Sequence, residues 1–392
     1  MSAEKIIAET LLAVVAILLG AKVFGYLAEK IKQPAVLGEL IGGVILGPSL
    51  LGIIQPGHNE ILTFLAEIGV IILLFEVGLE SNIYQLLKVG WASLFVAIIG
   101  IVAPLGLGYL YMSMSGNAPL VSVFVGATLA ATSVGVTMRV LGEINKINSK
   151  EGKIILGAAV IDDILGLIIL SVLVGIVEAG KVSFFNIGKI SFLSILFLVI
   201  TCWAGIKFAP KIYNIIKKMK AKRTFIVSAL IFALFASYVA SWIGLATIVG
   251  AFAAGLVLEQ VEHKHHIEER LKPLSAIFVP IFFIMAGAYM DVRTLAKIEI
   301  LLPIVVITII ACIGKWVAGL GAIGTGTNKT AIGVGMIPRG EVGLIFAAIG
   351  LSMGLIQAEL YSMLVVVVML TTFVTPPLLV KLMADKKTAK KA

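Results

Sequence analysis

Stretches of about twenty apolar residues recur along the whole chain, separated by short polar loops, and no other feature limits the fold as strongly. A hydrocarbon core of about 30 Å takes roughly 20 helical residues, and inside it every backbone polar group must be paired internally. Apolar runs of this length fall near 6–28, 34–54, 61–80, 91–112, 119–141, 152–178, 187–209, 223–243, 244–260, 273–290, 299–323, 330–351 and 358–383. The eighth and ninth are separated by Trp242, Ile243 and Gly244 alone. Only 14% of the 392 residues are charged and 60% are hydrophobic, against about 25% charged in a soluble domain. The reading is an all-α polytopic membrane protein of about 13 transmembrane helices.

The net charge of +9 belongs to the loops, and no nucleic-acid partner is read from it. With the N-terminus outside, the outward loops carry Lys5, Lys181, Lys189, Arg293 and Lys297. The inward side carries most of the rest, above all the loop 207–223 and the lysine tail. That bias sets the orientation as N-terminus out and C-terminus in. The first run leads into Lys22, Gly25, Glu29 and Lys30 with no small-residue cleavage site, so it reads as a retained helix. Cys202 and Cys312 lie in separate runs with no CxxC partner and no neighbouring His. They read as small buried hydrophobes, and no metal centre or cofactor is expected.

Lys22, Lys315, Arg339, Asp162, Asp163 and Glu341 stand within the apolar runs. A charge at the bilayer centre costs about 2.5–3.5 kcal/mol on insertion scales, so each needs a partner, a cavity or a job. Asp162 and Asp163 are adjacent inside IILGAAVIDDILGLIIL, and adjacent helix positions point roughly 100° apart. One carboxylate can therefore face a water-filled cavity while the other reaches a neighbouring helix. A carboxylate in such a cavity can exchange a proton for a metal cation. Lys315 is the counter-charge that depth favours. At 1.5 Å per residue it lies roughly 13 Å, and Asp163 roughly 16 Å, from the inner end of its helix.

Two runs look interrupted. The fifth packs Thr128, Thr132, Ser133, Gly135 and Thr137 at mid-span, and the twelfth contains Gly333, Gly335, Pro338 and Gly340. Pro removes a backbone donor, and open backbone at membrane depth is tolerated only where protein or a cavity covers it. The freed carbonyls and hydroxyls are hard oxygen donors suited to an alkali cation. Arg339 and Glu341 flank the second interruption, where they are expected to neutralise half-helix ends. The interrupted runs are seven apart in order, so they have opposite orientation, the pattern of an inverted repeat with its site at the midplane. Glu76 in LLFEVGLE is a further in-span acid, read either as part of an acidic inner funnel or as a partner of Lys22 or Lys88. His263, His265 and His266 lie among acidic residues in an inner loop, where a solvated mixed-charge loop and a pH sensor are both open readings.

In QPAVLGELIGGVILGPSLLG (33–52), LLFEVGLE (73–80), ATSVGVT (131–137), AAVIDDILGL (158–167) and GMIPRGEVGLI (335–345), the chain resembles the monovalent cation/proton antiporter superfamily, specifically the NapA-like sodium/proton antiporters. The resemblance covers nearly the whole chain. It implies a homodimer in a prokaryotic inner membrane, working in pH homeostasis. Residues 1–86 and 223–297 would form a scaffold and dimerisation domain, and 87–180 and 298–385 an ion-transporting core. Residues 181–222 would form a linker helix with the inner basic loop, and 386–392 a basic tail. Asp163 would be the main site for Na⁺ (or Li⁺) and H⁺. Asp162 would join it at the cation, pairing with Lys315 when none is bound. Thr132 and Ser133 would line the site, with Glu341, Arg339, Pro338, Gly135 and Thr137 supporting the broken helices. The double Asp is associated with electrogenic exchange, two protons in for one sodium out. Rival readings are a potassium/proton antiporter, a cation channel and, distantly, an intramembrane aspartyl protease. A protease needs two carboxylates at about 3 Å, which adjacent helix positions do not supply.

Overall fold

The computed structural model describes residues 3–31, 33–56, 59–81, 90–179, 184–218, 224–259, 264–295 and 297–383. His263, Lys88 and the basic tail lie outside the described residues, as do the side chains of His265, His266 and Cys202. The helices in chain order are α1 (Ala3–Lys30), α2 (Ala35–Leu46), α3 (Glu60–Glu80), α4 (Trp91–Met114), α5 (Pro119–Ala130), α6 (Val134–Glu143), α7 (Lys150–Ala179) and α8 (Phe184–Lys218). They continue with α9 (Thr224–Trp242), α10 (Thr247–Leu258), α11 (Lys264–Ala288), α12 (Val292–Leu295) and α13 (Ile298–Trp316), which runs on as a 3₁₀ turn (Val317–Ala322). The last three are α14 (Lys329–Gly335), α15 (Glu341–Ser352) and α16 (Ala358–Met383). No strand occurs among the described residues.

The protein is a multi-pass membrane protein. Eight spans among the described residues are long and apolar enough to cross a bilayer, one of them running through α5 and α6. The exposed side chains of the apolar helices invert the soluble pattern. Leu11, Leu12, Val15 and Leu19 of α1 are exposed, as are Ile231, Phe235 and Tyr238 of α9 and Leu302, Val305 and Ile309 of α13. Apolar belts of that extent belong against lipid, since on a soluble protein they would drive association. One apolar run forms a shorter helix than its length suggested. The second run stops at Leu46 because Gly47 turns extended, and the chain then passes through turns to Ile54. The eighth and ninth runs do separate. Gly244 takes a positive φ of 83° between α9 and α10, a conformation open to glycine at little cost.

Contacts divide the chain into two compact units, Met1–Ile83 with Leu167–Tyr289 and Tyr84–Gly166 with Met290–Ala392. In the first unit, α3 packs on α10 and α11, α2 on α1 and α11, and α9 and α8 on α10. Asn59 caps α3 by accepting from the Ile61 and Leu62 amides, and its own amide donates to Thr10 on α1 at 2.8 Å. The helices approach through paired glycines. A Cβ at Gly78 would meet the Phe252 carbonyl, and one at Gly255 would meet the Phe75 carbonyl. Gly43 and Gly287 oppose each other in the same way between α2 and α11. Such contacts are how helices gain packing energy where lipid removes the hydrophobic drive. The helix read as a linker, α8, groups with this unit.

In the second unit α4 packs against α5, α13 and the 3₁₀ turn, and α16 against α13, α14 and α15. Its core includes Val96, Ala97, Leu141, Ala158, Ala318 and Ile332. The first half of α7, with both aspartates, belongs here. Both interruptions are real. The fifth run breaks into α5 and α6 across Ala131–Ser133, and the twelfth into α14 and α15 across Met336–Gly340.

The glycine pairs allow a direct check. Gly78→Ala and Gly255→Ala should each destabilise the protein by roughly 1–3 kcal/mol, the usual effect of overpacking. Gly188→Ala, where a Cβ meets nothing within 4 Å, should be neutral or mildly stabilising. Thermal unfolding of detergent-solubilised variants, followed by loss of the monodisperse peak, measures both.

Candidate functional site

The two interruptions lie against each other, and each supplies partners the other lacks. The Ser133 amide donates to the Pro338 carbonyl at 2.8 Å. The Thr132 hydroxyl donates to the Met336 carbonyl at 3.4 Å, and the Thr137 hydroxyl to the Gly335 carbonyl at 2.6 Å. The Ser133 hydroxyl donates to Glu341 Oε2 at 3.0 Å. Thr132, Ser133 and Thr137 are all buried. Gly340 leaves the room this needs, because a Cβ there would strike the Ser133 side chain.

Arg339 is fully buried, and its guanidinium goes to backbone rather than to a carboxylate. It donates through Nη1 to the Ile337 carbonyl at 2.6 Å and to the Met336 carbonyl at 3.4 Å, and through Nη2 to the Ala311 carbonyl at 2.9 Å. Met336 and Ile337 follow the C-terminal end of α14, where a helix is partially negative and a cation is favourable. Ala311 is on α13, so Arg339 also fastens the second interruption to the helix that carries Lys315. Glu341 begins α15, the partially positive end of that half-helix. The charges at the interruption thus face opposite half-helix ends.

Lys315 has no exposed surface and donates to both oxygens of Asp162, at 2.9 and 3.1 Å. A bidentate pair between two buried groups is stable only if the geometry is good and both partners are present. Asp163 differs from its neighbour. It keeps 7% of its surface where Asp162 keeps 2%, and among the described residues no hydrogen bond is made to its carboxylate. Asp162, Glu341 and Lys315 are the charges whose fields reach it. Counting Asp162, Asp163 and Glu341 against Lys315 and Arg339, the cluster carries one negative charge in excess when all are ionised. Asp163 is the group with no committed partner, so one bound cation or proton there restores neutrality.

The remaining candidates make no contact of their own with this cluster among the described residues. Gly135 sits one residue into α6 with nothing within 4 Å of its would-be Cβ. Glu76 belongs to the other unit, where Ser275 of α11 donates to it at 2.5 Å and Lys272 lies within electrostatic reach. Of the alternatives open for Glu76, Lys22 is the neighbour of another carboxylate, Glu39 of α2, whose charge it meets. Reading the sequence passed over Glu39, although a carboxylate inside VLGELIGG was a signal of the same kind as Glu76. It also passed over Thr372 of α16, which donates its hydroxyl to the Arg339 carbonyl.

A buried carboxylate beside two facing interrupted helices, in an all-helical membrane protein, defines a secondary ion transporter. A family model described as sodium/hydrogen exchanger, transmembrane, matches residues 14–383, and the chain belongs to that family. It is 38% identical to the high-affinity Na⁺/H⁺ antiporter NhaS3 of Synechocystis, over 96% of this chain and 90% of that protein. It is 36% identical to the Na⁺/H⁺-K⁺ antiporter GerN of Bacillus cereus, over 96% of this chain and 97% of that one. Among solved structures it is similar to the sodium proton antiporter MjNhaP1 of Methanocaldococcus jannaschii at pH 8. The TM-score there is 0.70 and the identity 21%, over 96% of this chain and 97% of that one. At that identity the structural likeness establishes the fold.

The Asp162–Lys315 pair generates a prediction. Lys315→Ala should destabilise the protein by about 3–5 kcal/mol, because it strands a buried carboxylate. The double variant Asp162→Leu with Lys315→Met should recover much of that loss. Melting curves of the purified single and double variants decide it, and a double variant no more stable than Lys315→Ala counts against the pair.

Proposed function

We infer that the protein is a secondary sodium/proton antiporter in which Na⁺ and H⁺ compete for Asp163. The observation that carries this reading is the contrast between the two neighbouring aspartates. Asp162 is engaged at both oxygens by Lys315, whereas Asp163 is buried without a hydrogen-bond partner among the described residues and sits at the point of charge excess. Sodium needs oxygen ligands and a proton needs a base. One carboxylate serves either, never both, and that exclusion is what couples the two flows. The names of NhaS3 and GerN support Na⁺ as cargo. GerN's also keeps K⁺ in view, and Li⁺ fits as a second small cation.

Each turn would bind a cation from one side at Asp163 and reorient only once that carboxylate holds Na⁺ or H⁺, since moving it empty through the low-dielectric core is costly. A second proton, as electrogenic exchange requires, would come from Lys315. As the cation draws Asp162 toward it, the ion pair opens and the ammonium loses its favourable partner. One net charge would then cross per cycle, contributing about 2.3 kcal/mol per 100 mV of membrane potential. This chemistry needs no resident cofactor and no covalent step, and the protein acts as a transporter rather than an enzyme. Asp162's engagement by Lys315 weighs against an aspartyl protease, which needs its two carboxylates sharing a proton.

The same reading takes the unit with Asp163 as the moving core and the other as scaffold, in a homodimer. It places thirteen crossings related by an inverted repeat in a prokaryotic plasma membrane. The N-terminus would be outside and the C-terminus in the cytoplasm.

The test uses purified protein in sealed liposomes with an acid interior reported by a dye. Adding Na⁺ outside should collapse the gradient, and Asp163→Asn should abolish the response. Competition at a single carboxylate also fixes a pH dependence. On the acid side of the site's midpoint the apparent KM for Na⁺ should fall about tenfold per pH unit, and above it the KM should level off while the maximal rate stays constant. A KM independent of pH, or exchange surviving in Asp163→Asn, overturns the reading. An imposed inside-negative or inside-positive potential should change the rate if one net charge moves.

A further inference from the structure

Resting on the antiport reading, a further role comes from asking where the carbonyls of the second interruption go. Buried backbone oxygens at membrane depth need donors, and here each has one. Gly335 accepts from Thr137, Met336 from Thr132 and Arg339, and Ile337 from Arg339. Pro338 accepts from the Ser133 amide, Gly340 from the Leu344 amide within α15, and Arg339 from Thr372. The first interruption is different: among the described residues no donor reaches the carbonyls of Ala131 and Thr132. Each carbonyl of the second interruption is thus already engaged by a donor.

Thr372 is the outlying member of this set. Thr371 and Thr375 of the same α16 segment donate back along their own helix, to Val367, Val368 and Thr371 carbonyls. Thr372 alone of the three leaves its helix, and it reaches the carbonyl of the residue before Gly340. That peptide joins Arg339, which is tied to α13, to Gly340, which has no side chain and lies against Ser133. Glycine is the residue least able to stop its preceding peptide from turning. Thr372 is buried, so no water replaces its hydroxyl.

We propose that Thr372 is a positioning residue for cation selection, pinning the Arg339 carbonyl so that it does not turn into the site as an additional oxygen ligand. Selectivity among hard cations follows ligand number and the rigidity of the cavity. One more neutral oxygen on a turning peptide favours a larger, more weakly hydrated ion. With the carbonyl pinned, the site keeps few ligands and prefers Na⁺ over K⁺.

The experiment compares wild type, Thr372→Val, Thr372→Ala and Thr372→Ser in the liposome assay. It measures the apparent KM for Na⁺ and the inhibition constant of K⁺ as a competitor. Thr372→Val keeps the shape and loses the donor, and should lower the K⁺-to-Na⁺ ratio of these constants about fivefold or more. Thr372→Ser restores the donor and should return the ratio to the wild-type value. A wild-type ratio in Thr372→Val, or a shift in Thr372→Ser as large as in Thr372→Val, overturns the proposal. So does failure of both Thr372→Val and Thr372→Ala to fold, which would make the hydroxyl a requirement of the fold. Absence of any Na⁺-dependent signal from wild type fails the antiport reading and this inference together, whereas wild-type exchange with an unmoved ratio fails this inference alone.

Discussion

A helix interrupted at membrane depth leaves backbone amides and carbonyls that neither water nor lipid will pair, and the second unit is organised around that constraint. Its two interruptions answer it jointly, through the Ser133 amide on the Pro338 carbonyl and the hydroxyls of Thr132 and Thr137 on the carbonyls of Met336 and Gly335. Side chains with other apparent purposes complete the set. Arg339, a buried cation, spends its donors on the carbonyl end of α14 and on Ala311, and Thr372 takes the last carbonyl. Because the interruptions must satisfy each other, they must also lie together.

The charges follow from that arrangement. Half-helix ends carry partial charges of opposite sign, and Arg339 and Glu341 are placed to oppose them. Lys315 arrives on α13, tied by Arg339 to the same point, and meets Asp162 across 153 residues of sequence. The pairing leaves Asp163 as the carboxylate without a bonded partner, in a cluster one negative charge out of balance. Asp163 is thus the point in the cluster where a positive charge is missing.

The first unit solves a different problem with different means. Among its described residues it has no interruption of this kind, and its helices close on one another through glycine pairs such as Gly78 with Gly255 and Gly43 with Gly287. Backbone against backbone is a rigid contact, because neither surface has a side chain that can yield. Its in-span acids are engaged locally, Glu76 by Ser275 and Glu39 by the charge of Lys22.

The length and spacing of apolar runs determined the helical membrane fold, because the bilayer admits few alternatives, and Pro338 with its glycines marked the second interruption. The charges inside apolar runs marked Asp162, Asp163, Lys315, Arg339 and Glu341, since each is too costly to be incidental. What one dimension does not encode is which groups meet. That Arg339 seeks carbonyls instead of Glu341, and that Glu76 turns to Ser275 and not Lys22, were decided by tertiary packing. Thr372 was least legible of all. Threonines in apolar helices ordinarily bond their own backbone, as Thr371 and Thr375 do, and only the folded neighbour at Arg339 makes this one different.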